Sequence, residues 1–342
     1  RAFPAPQLLF HKTRHRLYND LRHNDIMRPA TYQPSDFDDV TLGRKLGAGT
    51  FGVVHVALLR DGRYVAVKQL DLDPSDPAAQ IAASPSSSSA VIDTRNEIIV
   101  HRKLDHPNII RYLHSRVARA AVVATPDSQD GGDAHHSAPA PKLLVFLEYV
   151  TGGSITSIMK TLPHGRLPPS VVRVYSRHMF HGLKYLHDHG VAHRDIKGDN
   201  LLVSQDSGVA KLADFDQAKA VAGTLRSSRA NTLAGTPFWM SPEVITEEAG
   251  YDPFKADIWS AACTVAEMFT GKAPWLPSGS PMAIMYKLAN STGWPDAIPK
   301  SRDTLGNDLY DFLDQCFRRS PADRPGCDQL LSHPYLSAEV SM

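Results

Sequence analysis

Short apolar runs separated by turn residues fill the first part of the chain. Val40–Leu42, Val53–Leu58 and Tyr64–Lys68 are rich in β-branched residues, which is typical of strands. The Asp61-Gly62 pair between the second and third runs is a hairpin turn signal. Leu143–Leu147 is a continuous apolar run that predicts a buried strand. This part of the chain is therefore predicted to form a small sheet.

Beyond Gly153 the apolar positions recur at three- and four-residue steps, which predicts amphipathic helices. Residues 91–104 also look helical. Two later stripes are clear: Val172, Tyr175, Met179, Leu183 and Leu186, and then Leu309, Phe312, Leu313, Cys316 and Phe317. Strands followed by helices predict an α+β fold, with a small sheet-rich lobe before a larger helical lobe.

Three stretches lack this periodicity. Residues 1–37 are rich in basic side chains and are interpreted as an N-terminal extension, either a solvated, disordered arm or a docking or autoregulatory segment. Residues 71–90 and 124–141 are rich in Pro, Ser and Gly and predict flexible insertions. The predicted organisation is an extension over 1–37, a sheet lobe over 38–147 with both insertions, and a helical lobe over 148–338.

Composition excludes several classes of protein. The 342 residues carry 37 Lys and Arg against 36 Asp and Glu, a formal net charge of +1, which argues against a bulk nucleic-acid partner. No apolar run approaches the ~20 residues that span a bilayer. The three cysteines suit neither a disulfide framework nor a zinc site. We expect a cytoplasmic protein without a membrane span.

The first chemical signal is a glycine-rich turn that contains Gly47, Gly49 and Gly52. It fits a dinucleotide site, a kinase phosphate loop or chance, and the β-branched residues after it favour a strand over the helix that a dinucleotide site needs. Lys68, on the next strand, could reach a nucleotide's phosphates, with Glu97 as its counter-charge. The alternative is that Lys68 is a surface residue and Glu97 a solvated helix charge.

A second signal identifies the family. The segment from His193 to Asn200 matches the pattern H-R-D-x-x-x-x-N of the protein kinase catalytic loop. With Asp214-Phe215, Ser241–Glu243 and Asp257–Ser260 in the same order, the chain resembles the eukaryotic protein kinases over roughly residues 38–338. The resemblance implies a bilobal protein kinase fold, ATP and Mg²⁺ as cofactors, and phosphorylation of a protein hydroxyl.

The resemblance also assigns roles to residues. Asp195 would accept the proton of the substrate hydroxyl, and Lys197 would neutralise charge on the γ-phosphate. Asn200 and Asp214 would bind Mg²⁺, and Lys68, paired with Glu97, would hold the α- and β-phosphates. The other implied ATP-binding positions are the three glycines, Val54, Ala66 and Leu202 around adenine, and the hinge from Glu148 to Val150, with Leu147 beside the back pocket. For the apolar residues, core packing is the alternative role.

Lys197 in the catalytic loop and Thr236 are typical of serine/threonine kinases. The stretches 193–200, 235–244 and 255–275 resemble the sterile-eleven branch, which contains the MAP kinase kinase kinases. That resemblance implies a MAP kinase kinase as protein substrate, and an upstream activator or scaffold as a further partner. The sterile-twenty branch shares much of this sequence and stays an alternative, with other substrates.

Regulation is expected in the segment between Asp214 and Glu243. Thr232 matches a threonine that many kinases phosphorylate, and its phosphate would pair with Arg194 and Lys219. The alternative is that Thr232 is only a polar loop residue. Glu243 itself is expected to be buried against Arg324.

One residue departs from the family pattern. Asp216 follows Asp214-Phe215 where glycine is usual, and it adds negative charge near the expected phosphates. We expect an active kinase that is slowed by this charge. Two other functions stay open: a pseudokinase that binds ATP as a scaffold, which Asp216 alone favours, and a nicotinamide-dependent oxidoreductase, which requires a helix directly after Gly52.

Overall fold

The computed structural model describes residues 31–49, 52–72, 98, 100–118, 142–221, 237–246, 250–275, 281–291 and 293–338. The strands are β1 (Val40–Gly49), β2 (Gly52–Leu59), β3 (Tyr64–Asp71), β4 (Tyr112–Ala118), β5 (Lys142–Glu148), β6 (Val191–Ala192), β7 (Leu201–Val203), β8 (Ala210–Leu212) and β9 (Lys219–Ala220). The helices are α1 (Ile155–Thr161), α2 (Pro169–Asp188), α3 (Pro242–Ile245), α4 (Pro253–Thr270), α5 (Pro281–Asn290), α6 (Arg302–Leu305), α7 (Asn307–Cys316), α8 (Cys327–Leu331) and α9 (Pro334–Ser337).

The first five strands form one antiparallel sheet in the order β1-β2-β3-β5-β4. The hairpin between β2 and β3 turns at Gly62, whose φ of 85° suits glycine, and the Arg63 amide donates to the Asp61 carboxylate at 3.0 Å. One face of this sheet is closed by a cluster of buried residues that includes Val65, Val67 and Phe146. The predicted sheet and its hairpin turn are confirmed.

The sheet lobe includes residues that the sequence pattern assigns to the N-terminal extension. Phe37 lies in a short 3₁₀ helix, Pro34–Phe37, and is only 1% exposed. Its ring stacks on His114 of β4 at 4.9 Å and contacts Phe146 of β5 at 4.8 Å between centroids. The end of the predicted extension therefore belongs to the core of the sheet lobe, because an aromatic ring buried against two strands stabilises both.

The helical lobe has one continuous core. The apolar stripes predicted for residues 172–186 and 309–317 face this core on α2 and α7, which confirms both helices. Helix α4 is buried on nearly all sides between Ala256 and Met268, because its sequence is apolar around its whole circumference. It begins at Asp252, whose side chain caps the Phe254 amide, and ends at Gly271 with φ of 72°.

The α+β arrangement, a sheet lobe followed by a helical lobe, is confirmed. Within the described ranges, none of the helices combines the length and the apolar composition that a membrane crossing requires. The three cysteines are buried free thiols in the helical lobe.

Candidate active site

The glycine-rich turn joins β1 to β2, with Gly49 opposite Gly52 in the hairpin register. Gly52 has φ of 149°, and a Cβ there would lie 2.1 Å from the backbone oxygen of Gln69, so only glycine fits. A Cβ at Gly47 or Gly49 would meet no atom within 4 Å, so these residues face open space. Strand β2 begins directly at Gly52, which makes the oxidoreductase hypothesis wrong, because a dinucleotide fingerprint needs a helix there.

Lys68 lies on β3 between Val54 of β2 and Val145 of β5, and its side chain is only 12% exposed. Its ammonium group is 3.1 Å from the Asp214 carboxylate and makes a still closer contact with Asp216. Burial by itself would lower the pKa of Lys68, but the two carboxylates outweigh burial and raise this pKa above its ordinary value. Lys68 therefore stays charged inside the protein.

The two aspartates on Lys68 differ from each other. Burial opposes ionisation of Asp214, but the nearby Lys68 charge holds its pKa below the ordinary range. Burial and then the Asp214 charge raise the pKa of Asp216 to about 6. Glu97, the predicted partner of Lys68, lies outside the described residues, so that pairing stays a prediction. The contact between Lys68 and Asp216 is a feature that the sequence pattern did not indicate.

Asp195 is held between two side chains of its own loop. The Lys197 ammonium donates to both carboxylate oxygens, at 3.0 and 2.8 Å. The Asn200 amide Nδ2 donates to the Asp195 backbone oxygen and to its carboxylate, both at 2.8 Å. Because the amide uses its nitrogen for these bonds, its oxygen Oδ1 stays an acceptor that suits a hard cation.

A backbone hydrogen bond joins the catalytic loop to the segment that carries Asp214. The backbone amide of Ala213, next to Asp214, donates to the backbone oxygen of Asn200 at 2.9 Å. This bond and the Lys68–Asp214 contact bring Asp195, Asn200, Asp214 and Lys68 close to one another. Asn200 and Asp214 offer an amide oxygen and a carboxylate, a donor set that fits Mg²⁺.

Asp257 of α4 holds the catalytic loop through hydrogen bonds. Its carboxylate accepts from the His193 and Arg194 amides, each at 2.8 Å, and contacts His187 Nε2 at 3.0 Å. Arg194 has φ of 68°, a left-handed conformation that costs free energy in a residue with a side chain. Asp257 supplies the fixed acceptor that holds this conformation next to Asp195.

Four rings connect the loop to the sheet lobe. Phe215 lies 5.1 Å from His193 and 4.4 Å from His101 between ring centroids, and His101 lies 6.1 Å from Tyr112 of β4. Burial lowers the pKa of His101 to about 4, so the ring is neutral and donates from Nε2 to the Ile110 backbone oxygen at 2.7 Å. These ring contacts hold Phe215 in place, and with it the aspartates on either side.

The predicted adenine positions lie together. Ala66 pairs with Leu147 in the sheet register, and Leu147 and Leu202 pack on a buried cluster that contains Val150. The predicted hinge residue Glu148 has its carboxylate on Lys211 at 2.8 Å, and its backbone amide donates to the Arg111 backbone oxygen at 2.9 Å. These positions form an apolar surface next to Lys68, whose β2 neighbour is Val54.

Glu267 of α4 is a functional candidate that no sequence motif indicates. Its carboxyl group accepts from the Gly198 amide at 3.1 Å, the Trp239 indole at 3.0 Å and the Thr156 hydroxyl at 3.3 Å. Burial raises its pKa to about 7 against these hydrogen bonds. It links the catalytic loop to the short 3₁₀ helix Pro237–Trp239.

The predicted pair of Glu243 and Arg324 is present. Both guanidinium NH groups donate to the carboxylate, at 2.5 and 2.8 Å, and both side chains are fully buried. Thr232 and Thr236 lie outside the described residues, as does the Lys219 side chain, although the Lys219 backbone pairs with Ala192 in β6 and β9. The Arg194 Nε is buried and has no hydrogen-bond partner among the residues that the structure describes.

Comparison with protein families matches residues 40–336 to the protein kinase domain. Mitogen-activated protein kinase kinase kinase ANP1 of Arabidopsis thaliana is 39% identical over 295 residues, which cover 86% of this chain and 39% of that protein. Mitogen-activated protein kinase kinase kinase A of Dictyostelium discoideum is 35% identical over 295 residues, or 86% of this chain and 27% of that protein.

The serine/threonine-protein kinase BCK1/SLK1/SSP31 of Saccharomyces cerevisiae is 33% identical over 298 residues, or 86% of this chain and 18% of that protein. The chain thus spans 39% or less of the length of these three relatives. The matched range contains the glycine hairpin, Lys68, the catalytic loop and Asp214. The chain belongs to the protein kinase family, as a serine/threonine kinase domain of the MAP kinase kinase kinase branch.

Proposed function

We propose that this chain transfers the γ-phosphate of ATP to a serine or threonine hydroxyl of a MAP kinase kinase in the cytoplasm. The observation that carries the proposal is the fixed position of the Asp195 carboxylate between Lys197 and Asn200. The Lys68–Asp214 pair lies in the same cleft and supports binding of a triphosphate with its cation. The similarity to kinases named MAP kinase kinase kinases supports the substrate class.

In the proposed reaction the hydroxyl oxygen of the substrate forms a bond to the γ-phosphorus, and the bond from that phosphorus to the β–γ bridging oxygen breaks. The hydroxyl proton passes to Asp195, and ADP leaves. Lys197, next to Asp195, neutralises charge on the transferred group, and Lys68 holds the other phosphates. Asn200 and Asp214 would hold Mg²⁺, which would supply positive charge against the phosphate oxygens.

The test is a Mg²⁺-ATP assay on catalytically inactive MAP kinase kinases, with mapping of the phosphorylated residues. We expect phosphorylation on serine or threonine, and a loss of about 100-fold or more in kcat for Asp195→Asn, because the variant cannot accept the proton. Full activity of Asp195→Asn would contradict the proposal. Phosphorylation of other proteins and of no MAP kinase kinase would favour a sterile-twenty-type kinase.

A scaffold function is the second candidate, and the contact between Lys68 and Asp216 is the observation that favours it. A pseudokinase of this kind would bind ATP without transferring phosphate. The same assay separates the two functions when nucleotide binding is measured beside transfer. Binding without any transfer, in the presence of a phosphorylatable partner, supports the scaffold.

For regulation we infer that phosphorylated Thr232 pairs with Arg194 and Lys219. The buried, unpartnered Arg194 Nε supports this inference, because a phosphate would give it an acceptor. We expect Thr232→Ala to lower kcat severalfold, and phosphatase treatment to do the same to the wild type only. Ser227→Ala is the matched control in the same segment. Equal activity of Thr232→Ala and wild type, measured with phosphate mapped at Thr232, would overturn the inference.

A further inference from the structure

The ammonium group of Lys68 has two anionic partners within the protein itself. Asp214 Oδ1 lies at 3.1 Å, and Asp216 Oδ2 is closer. An ammonium group has three N–H donors and no acceptor. Two of the three donors therefore point at carboxylates, and one remains for phosphate oxygens.

The local charge follows from the same contacts. Two carboxylates against one ammonium leave this part of the cleft with a net charge of −1. Lys197, the lysine of the catalytic loop, forms an ion pair with Asp195. A triphosphate that carries no cation therefore meets a site whose lysine is held and whose net charge has the same sign as its own.

Asp216 is not held in place by backbone strain. Among the described residues other than glycine, only Arg194 and Asp214 have a positive φ, so the Asp216 side chain fits its backbone at no cost. Its carboxylate is mostly buried and directed at Lys68. Its contact with Lys68 is thus a property of the side chain, which a glycine at this position could not supply.

We propose that Asp216 is a specificity-determining residue, which competes with phosphates for the Lys68 ammonium and thereby makes the site reject nucleotide that is not loaded with divalent cations. This inference rests on the proposed function, since it takes ATP as the ligand. Cations on the nucleotide and on Asp214 offset the extra negative charge, so the competition weakens when Mg²⁺ is present.

The test measures binding of ATP to the full chain, by competition with a fluorescent ADP analogue, once with EDTA and once with saturating Mg²⁺. Asp216→Asn removes the charge and keeps the size of the side chain. Asp216→Gly is the second variant, and thermal unfolding shows that each variant is folded. Asp206→Asn is the matched control, because Asp206 is an exposed acid in the turn between β7 and β8, outside the catalytic loop.

We expect Asp216→Asn to bind metal-free ATP at least tenfold more tightly than the wild type, and to change binding with Mg²⁺ less than threefold. The control should change both by less than twofold. The inference is overturned if the control binds metal-free ATP as much more tightly as Asp216→Asn does, or if Asp216→Asn shows no change. Weaker binding by Asp216→Asn also overturns it, and would mean that Asp216 helps to position Lys68 for the phosphates. Binding as expected without phosphate transfer would leave the inference intact and contradict only the proposed function.

Discussion

At the scale of single residues, Glu267 carries a clear prediction. Its pKa rises from the ordinary 4.5 to about 7 in the folded chain, so folding favours its protonated form. The stability from this group is fully present below pH 4.5 and is lost as pH rises through about 7. At ~1.4 kcal/mol per pH unit, the free energy of unfolding should fall by about 3 kcal/mol between these limits.

Glu267→Gln tests this dependence. The amide oxygen can still accept from Gly198 and Trp239, and the amide nitrogen can donate to the Thr156 hydroxyl, so the contacts survive without an ionisable group. We expect the variant to match the wild type near pH 5 and to be more stable at pH 8, by urea unfolding. Parallel curves for the two proteins over this range would contradict the prediction.

Residues with a role in a local motif could be predicted from the sequence. Asp195, Lys197 and Asn200 lie within six positions of each other, and their spacing alone places them in one loop. Lys68 and Asp216 are 148 positions apart, and Gly198 and Glu267 are 69 apart. Such contacts depend on how distant elements pack, and a sequence pattern carries no distance between them.

At the scale of elements, α4 sets the geometry of the catalytic loop through Asp257. Asp257→Asn would place an amide donor against one of the backbone amides of His193 and Arg194, so a buried donor loses its acceptor. We expect kcat to fall about 100-fold, because Asp195 moves out of line, while KM for ATP changes little. Steady-state kinetics separate the two constants.

The control lies on the same helix. The Asp252 carboxylate accepts a hydrogen bond from the Phe254 amide in the first turn of α4. This bond does not involve the catalytic loop. Asp252→Ala should cost about 1 kcal/mol of stability and leave kcat unchanged. If both variants lose activity in proportion to their lost stability, Asp257 has only a structural role.

The elements themselves were predictable to different degrees. Helices α2 and α7 each have one apolar face, so the sequence periodicity predicts both the helix and its buried side. Helix α4 is apolar around its circumference and therefore gives no such stripe, although it positions both Asp257 and Glu267. The end of the N-terminal extension was also missed, because Phe37 becomes buried only through strands that follow much later in the chain.

At the scale of the whole molecule, Arg324 ties α3 to the C-terminal part of the chain. Its guanidinium is bidentate on Glu243 and also donates to backbone oxygens of Arg318 and Lys255. Arg324→Met would leave the Glu243 charge buried and unpaired. We expect a loss of about 3–5 kcal/mol in the free energy of unfolding, measured in urea.

The double variant Glu243→Met/Arg324→Met removes the unpaired charge. It should be more stable than Arg324→Met alone, since two apolar side chains can replace a buried ion pair. A double variant no more stable than the single one would assign the loss to the backbone oxygens that Arg324 also binds.

Phe37 connects the two edges of the sheet. Three residues after it the chain enters β1, which leads into the glycine hairpin, while its ring and its backbone oxygen are held by His114 and Arg116 of β4. Because β1 and β4 are the outer strands, this short segment connects the two edges of the sheet. Truncation of the chain before Val40 would remove Phe37 and with it this connection between the two edge strands.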